Sequence, residues 1–483
     1  MKKSQIYFLS MLFTFFVGQI SMAQAKKWTL KECVDYALEN NISIQQSDLD
    51  TKTADIDKKD AIGNFLPSVN ASASHSWNIG LNQNITTGLL ENQTTQFTAA
   101  GLNSNITIYS GLQAQNRLRR ARLSIIAAQY QLSKMKDDVS LNVANAFLQI
   151  LFNKENLKVQ KEQLQNNQKQ RERTQELVNA GSIPRGDLLD IQATVAANEQ
   201  AVVIAENTLL LSKLSLAQLL QLDDFQNFDI VDTDYPVTES ETMLQTPQAI
   251  YEKAKEQRVE LKIAKTNLEI AEKDVKIAKG ALYPTLSGFY SFSTRAAYAD
   301  QIVGVIPDPT TPNSPTNSFV NIGGTNYAVF QNNFRPILGG PDSVFDQFSD
   351  NKGHSFGLQV NIPILNGFSG KNSVSRAKIN LERSKIAYNQ QELDLERNVF
   401  TAFTDANGAL NSYEAALSAL EARTEAYNYA KEKFNVGMMN AFDLSQAQTL
   451  FVNAQSEVLR TKYDYIFRVK VVEFYFGIPI IQN

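Results

Sequence analysis

The stretch NAGSIPRGDLLDIQA, residues 179–193, is answered 256 positions later by NVGMMNAFDLSQAQ, residues 435–448. Each copy sets a glycine, Gly181 or Gly437, six residues before an aspartate, Asp187 or Asp443, with leucine next. Ahead of the first copy, residues 112–179 hold neither Gly nor Pro. Leu118, Ile125, Leu132, Val139 and Ala146 recur there every seven residues, and Val143, Ile150, Leu157 and Leu164 form a second ladder. Heptads of this kind predict a very long helix packed in coiled-coil fashion. At ~1.5 Å per residue it spans roughly 100 Å, more than a globular core needs. Leu188, Ile191, Val195, Val202, Leu209 and Leu216 predict a returning helix over about 187–222. The quoted turn is therefore expected at the far tip of a long helical hairpin.

Working outward, the chain spells this hairpin and its approach twice. The first repeat, 26–235, opens with WTLKECVDYALENN, where Thr29 and Glu32 have capping-box spacing. Strands are predicted at about 67–80 and 95–110, then the long helix, 112–179. In the first strand Val69, Ala71, Ala73, His75, Trp77 and Ile79 alternate with Ser and Asn, a period of two. In the second, Ala100, Leu102, Ile106 and Ile108 are set on one face. The second repeat, 236–483, predicts a helix over 246–280, strands at 284–298 and 353–366, a long helix at 370–435, and a return at 441–475. Gly63 and Pro67 recur as Gly280 and Pro284, offset by 217, whereas Gly111 recurs as Gly367, offset by 256. The 39 added residues fall within 299–350, rich in Pro, Gly, Asn and Thr and read as a long loop. The helical hairpins have kept their length while the opposite end has not, so the helices are expected to span a fixed distance.

Residues 1–25 read as a signal peptide: Lys2 and Lys3, an apolar run, then small residues offering cleavage after Ala23 or Ala25. A net charge of −4, without a basic block, gives no footprint for nucleic acid. One Cys and two His leave no disulfide framework within a chain and no His/Cys metal site. Cys33 reads as a small packed residue, His75 and His354 as strand or rim residues, and the acidic 223–236 segment as a solvated linker. No nucleophile elbow or phosphate loop occurs, so neither enzyme activity nor a cofactor is expected.

Four strands with one apolar and one polar face cannot close a barrel, for which about eight is the practical minimum. If they enter a membrane the chain must oligomerise. The alternative is a soluble sheet on a periplasmic coiled-coil scaffold that never inserts.

The element order, the FLPSV and LYPTL entries to the first strand of each pair, the ITIYSG and IPILNG exits, and the two Gly-x5-Asp-Leu turns resemble the TolC-like outer-membrane efflux protein family. The resemblance covers the whole mature chain. It implies a mixed α and β membrane protein of the Gram-negative outer membrane. Three copies would form a 12-stranded β-barrel, four strands per chain, continued by a periplasmic α-helical cylinder. It also implies an exit duct for efflux or type I secretion, joined to a periplasmic adaptor and, through it, an inner-membrane pump. Adaptor docking would fall on the turns Gly181, Ser182, Ile183 and Gly437, Met438, Met439.

In family members an acidic ring and an Arg–Tyr–Asp network narrow the entrance. Asp187 and Asp443 match the acid after each glycine, and Asp190 is an additional acid in the first repeat. The Arg position is Met439 here, the Tyr position is Phe434, and a second acid is Gln446. Apolar packing of Phe434, Met438 and Met439 is expected to replace part of the network. The two acids also fit a purely structural role, since a carboxylate at a helix start gains about 0.3–1 kcal/mol from the dipole. Residues 299–350 are expected to shield the outer mouth or to act as a surface receptor.

Overall fold

The structure, a computed structural model, describes residues 27–479 apart from 85, 87, 224–226, 234, 238 and 239. The expected signal peptide and its cleavage sites lie outside the described residues. In chain order the first repeat holds β1 (Lys27–Trp28), α1 (Leu30–Asn40), α2 (Ile42–Gly63), β2 (Ser68–Gln83), β3 (Leu90–Ser110), α3 (Gln113–Asn179), α4 (Arg185–Leu220) and β4 (Asp229–Ile230). The second holds α5 (Pro247–Gln257), α6 (Val259–Gly280), β5 (Thr285–Ala297), β6 (Gln301–Pro307), β7 (Asn313–Ile322), β8 (Thr325–Asn332), β9 (Phe334–Gly339), α7 (Val344–Asp350), β10 (Gly353–Asn361), α8 (Ser369–Asn435) and α9 (Ala441–Phe476). Corresponding helices have equal lengths: 11 residues for α1 and α5, 22 for α2 and α6, 67 for α3 and α8, 36 for α4 and α9. The chain divides into a helical unit (27–57, 120–272 and 379–479) and a sheet unit (58–119 and 273–378).

The helical unit has two cores that are one pattern used twice. Cys33, Val34 and Ala37 of α1 are buried with Val139, Val143, Phe147 and Ile150 of α3 and Leu216 of α4. Ile250, Tyr251 and Ala254 of α5 take the matching places with Leu395, Val399 and Ala406 of α8 and Val472 of α9. The offset is 217 for the opening helices and 256 for the rest, as in the sequence. Cys33 thus fills the place of Ile250, a small apolar side chain in a packed core.

The capping box at Thr29 forms, with Glu32 N–H donating to Thr29 Oγ1 at 3.2 Å and Thr29 N–H to Glu32 Oε2 at 2.9 Å. The opening helices are not continuous, contrary to expectation for 246–280. Both break at offset 217, at Asn41 (ψ 127°) and Arg258 (ψ 131°). At the first break Asn41 accepts from Ser43 N–H at 2.9 Å and donates to the Leu219 carbonyl at 3.0 Å. At the second, the Arg258 guanidinium donates to both Glu260 oxygens, at 3.2 and 2.9 Å, and lies over the Phe474 ring.

Nor is 223–236 simply a solvated linker. Phe228 and Ile230 are buried, and β4 pairs in parallel with β1. Asp229 lies 2.8 Å from both Lys154 and Lys213. Burial alone would raise its pKa, but the hydrogen bonds from Lys154 and Lys213 hold the carboxyl below the ordinary range.

The sheet unit carries one four-stranded antiparallel sheet in the order β10-β5-β3-β2. Its register aligns Val69, Ala71, Trp77 and Ile79 on β2 with Ala100 and Leu102 on β3. Tyr290 and Phe292 on β5, then Phe356, Leu358 and Val360 on β10, continue the same face. Asn70, Asn103 and Ser291 line the opposite face, with Ser291 Oγ donating to Asn103 Oδ1 at 2.8 Å. Ile108 does not hold phase, because a bulge between Thr107 and Tyr109 shifts Tyr109 opposite Leu286. The first hairpin is longer than read: β2 reaches Gln83 and β3 starts at Leu90, where the Asn82 amide ties back to the Gln93 carbonyl at 2.9 Å. The fourth strand stops at Asn361 rather than 366, ahead of Pro363, which has no N–H for a ladder.

Segment 299–350 is not a loop. β6 pairs with β9 and β7 with β8 in a two-stranded ribbon, closed by Gly323 and Gly324 at φ +64° and +89°, and α7 follows. Proline signals a loop in sequence, yet in a two-stranded ribbon both strands are edges and can carry it.

Candidate functional site: the two helix tips

Two turns, built alike, join α3 to α4 and α8 to α9. Gly181 takes φ +72° and Gly437 φ +79°. Ser182 N–H donates to the Leu177 carbonyl at 2.9 Å, and Met438 N–H to that of Lys433 at 2.8 Å. Gly181 N–H donates to Val178 at 3.0 Å and Gly437 N–H to Phe434 at 3.1 Å. These paired bonds are the Schellman pattern, in which a left-handed residue lets the chain satisfy the last helix carbonyls and turn away.

The return helices begin differently. Asn440 caps α9, its Oδ1 accepting from Asp443 N–H at 2.8 Å. Pro184 holds the equivalent place before α4 and gives no side-chain cap; Asp187 N–H donates to its carbonyl at 3.2 Å. Asp187 and Asp443 each sit in a first turn, where unpaired N–H groups favour negative charge. Leu188 and Leu444, next in line, are both buried and dock each return. Asp187 is half-buried, whereas Asp190 and Asp443 are exposed. Among the described residues no ion pair involves these three carboxylates.

The tips are joined laterally by residues that sequence reading did not single out. Arg173 donates to Asn435 Oδ1 at 2.9 Å, linking the ends of α3 and α8. Thr194 and Ser445 hydroxyls lie 3.2 Å apart between α4 and α9. Asn440 was also missed, although an Asn three residues before Asp443 is a legible capping signal. The apolar cluster expected of Phe434, Met438 and Met439 does not close within one chain. Phe434 and Met439 are half-buried, and Met438 is 76% exposed. On the docking turns Gly181, Ser182 and Gly437 are exposed and Ile183 is half-buried.

Both histidines belong to the sheet unit. His75 Nδ1 is 2.8 Å from Thr98 Oγ1, and His354 Nδ1 is 3.0 Å from the Tyr290 hydroxyl, both on the sheet. Among the described residues no cluster of three or more His, Cys, Asp or Glu could hold a metal ion. One described helix, α4, is long and apolar enough to cross a membrane by length and composition. Its Leu189, Val203, Ile204, Leu210 and Leu211 are exposed in the single chain.

Comparison with known proteins gives this geometry its setting. The family model for the outer membrane efflux protein matches residues 33–221 and 250–469, one segment in each repeat. The outer membrane protein TolC of Vibrio cholerae serotype O1 is 22% identical over 417 residues, covering 84% of this chain and 80% of that one. TolC of Escherichia coli K12 is 22% identical over 467 residues, covering 93% and 82%. Among solved structures, the outer membrane protein VceC from Vibrio cholerae superposes with a TM-score of 0.72 at 14% identity, covering 94% of this chain and 97% of that one. A periplasmic scaffold that stays out of the membrane is thereby set aside. With its two repeats of paired strands and long helical hairpin, the chain belongs to the outer membrane efflux protein family, the TolC-like channels of the Gram-negative outer membrane.

Proposed function

We propose that three copies of this chain form a passive exit duct, taking substrate at the helix tips and releasing it outside the cell. The single observation that carries the reading is the open four-stranded sheet whose one face is predominantly apolar on its two edge strands. Val69, Trp77, Ile79, Phe356, Leu358 and Val360 on that face are all exposed in the single chain. Strands β2 and β10 are its unpaired edges. Backbone polar groups at the edge of a sheet in hydrocarbon must be paired, and only closure into a barrel pairs them all. Three such sheets give 12 strands, with the Ser/Asn face lining water and the apolar face meeting outer-membrane lipid. The exposed apolar stripe of α4 suits side-by-side packing between helices of adjacent copies in a periplasmic cylinder.

In this assembly six tips meet at the entrance. They dock a periplasmic adaptor through Gly181, Ser182 and Ile183 and through Gly437, Met438 and Met439, and reach an inner-membrane pump through it. Asp187, Asp190 and Asp443 ring the mouth with negative charge, and Phe434 narrows it. Two measurements test the proposal. Detergent-extracted protein should have the mass of three chains and conduct in planar bilayers; a single-chain, non-conducting particle would refute the duct. Asp187→Ala combined with Asp443→Ala should lower cation over anion selectivity, and unchanged selectivity would remove the acidic ring.

A further inference from the structure

The ribbon β6–β9 is unusual in what it lacks. Residues 301–339 carry only two charged side chains, Asp308 and Arg335, although 20% of the whole chain is charged. Apolar side chains occupy both faces. Val320 pairs with Tyr327 on one, while Phe319, opposite Ala328, and Phe330, opposite Pro315, share the other. Phe319 is 62% exposed, Tyr327 56% and Phe330 61%. A two-stranded ribbon is marginal in water by itself, and large apolar surface left open on it marks an interaction face.

The root of the ribbon is fixed to the sheet. Gln347 of α7 accepts from Ala297 N–H at 2.9 Å and donates to the Ala297 carbonyl at 3.0 Å. Thr294 Oγ1 donates to the Phe348 carbonyl at 2.9 Å, and Asn351 to that of Arg295 at 2.8 Å. Directly after this root comes β10, an open edge of the sheet. Because β10 and β5, β5 and β3, and β3 and β2 all pair antiparallel, a barrel sets β2 of the next copy antiparallel to β10. The end of that β2 nearest Gln83 then stands beside Gly353 and the ribbon root. Ile79, Leu81, Leu89 and Leu90, exposed in the single chain, lie at that end.

Size points the same way. Four strands about 4.8 Å apart make a sheet roughly 20 Å wide, whereas the ribbon, bounded by its shorter leg from Thr325 to Gly339, extends up to about 50 Å. We propose that the ribbon is a strap between subunits: its apolar surface packs on the outer end of the β2–β3 hairpin of the adjacent copy. The inference rests on the three-copy barrel proposed above. It gives the two-charge composition a cause, since a face that is covered in the assembly has no need of solvation.

The test places cysteines on both sides of the seam. In a Cys33→Ala background, Val305→Cys is combined with Leu89→Cys in one chain, and intact particles are treated with a short bismaleimide. Denaturing electrophoresis should show ladders of two and three joined chains, absent from either single-cysteine variant. In parallel, replacing 301–339 by a Gly-Gly link should lower the temperature at which the particle dissociates. A three-chain particle that stays at monomer mass after crosslinking would overturn the strap alone. An unchanged dissociation temperature would also overturn it. A native particle of one chain would overturn the barrel and the strap together.

Discussion

Replacing Gly437 by alanine should loosen one tip of the chain and leave the other as it was. Gly437 holds φ +79°, and a Cβ built there would find no heavy atom within 4 Å. The cost is therefore in the backbone alone: a left-handed conformation costs an L-residue roughly 1–2 kcal/mol more than glycine. That raises local opening by a factor of about 5–30. Hydrogen exchange read by mass spectrometry should show it in peptides covering 430–445. Peptides around Gly181 and around the buried Val399 should keep their rates. Gly437→Asn is the control, since asparagine visits left-handed conformations more readily, and it should recover much of the protection. If alanine and asparagine behaved alike, or if faster exchange appeared at Val399 instead of the tip, the positive φ would not be what closes the turn.

Asn440→Ala removes the cap on Asp443 N–H and should cost about 1 kcal/mol, read as faster exchange at the start of α9. At Asp229 the folded carboxyl has a depressed pKa. Its stabilisation is therefore present above the ordinary carboxylate range near 4 and is lost as pH falls through the lower folded value. Thermal melts should consequently show wild type losing stability below about pH 4, and Asp229→Asn should flatten that loss. Exchange should also be faster in α3 around Thr174 than in α8 around Ala430, both buried; equal protection would contradict the packing difference argued below.

Much of the fold was legible because its elements repeat. The 217 and 256 offsets located both cores, and the heptads gave α3 and α8. Alternation fixed which face of the sheet is apolar, from Val69 through Val360. What escaped was tertiary in origin. Asn41 and Arg258 break helices whose own composition is helical, and they do so through bonds to Leu219 and Glu260. Ile108 slips phase at a bulge set by its partner strand β5. The ribbon was hidden because Pro and Gly signal loops and edge strands alike. At the tips the glycines and acids were readable as a turn, while the lateral bonds of Arg173 and Thr194 depend on a second hairpin 256 residues away.

The two hairpins match in length, but their inner seams do not match in chemistry. Near the tip of the first, Gln163, Asn167 and Thr174 are buried, and neither amide atom of Asn167 nor the Thr174 hydroxyl bonds to a described protein group. The corresponding residues of the second hairpin are Ala419, Arg423 and Ala430; Ala430 is buried, whereas Ala419 and Arg423 are exposed in the single chain. A buried polar atom without a protein partner costs about 1–3 kcal/mol unless water serves it. Alanine at a helix seam carries no such penalty and lets backbones approach. The apolar cores around Phe147 and Val399 lie far along the chain from the tips, so they hold both hairpins at their base. Beyond that base the first hairpin buries the unpartnered hydroxyl of Thr174 where the second buries Ala430, and Arg173 bonding to Asn435 ties the two hairpins together. Both hairpins keep one length; at the seam position that both bury, the unpartnered Thr174 hydroxyl makes the first hairpin the less costly to open.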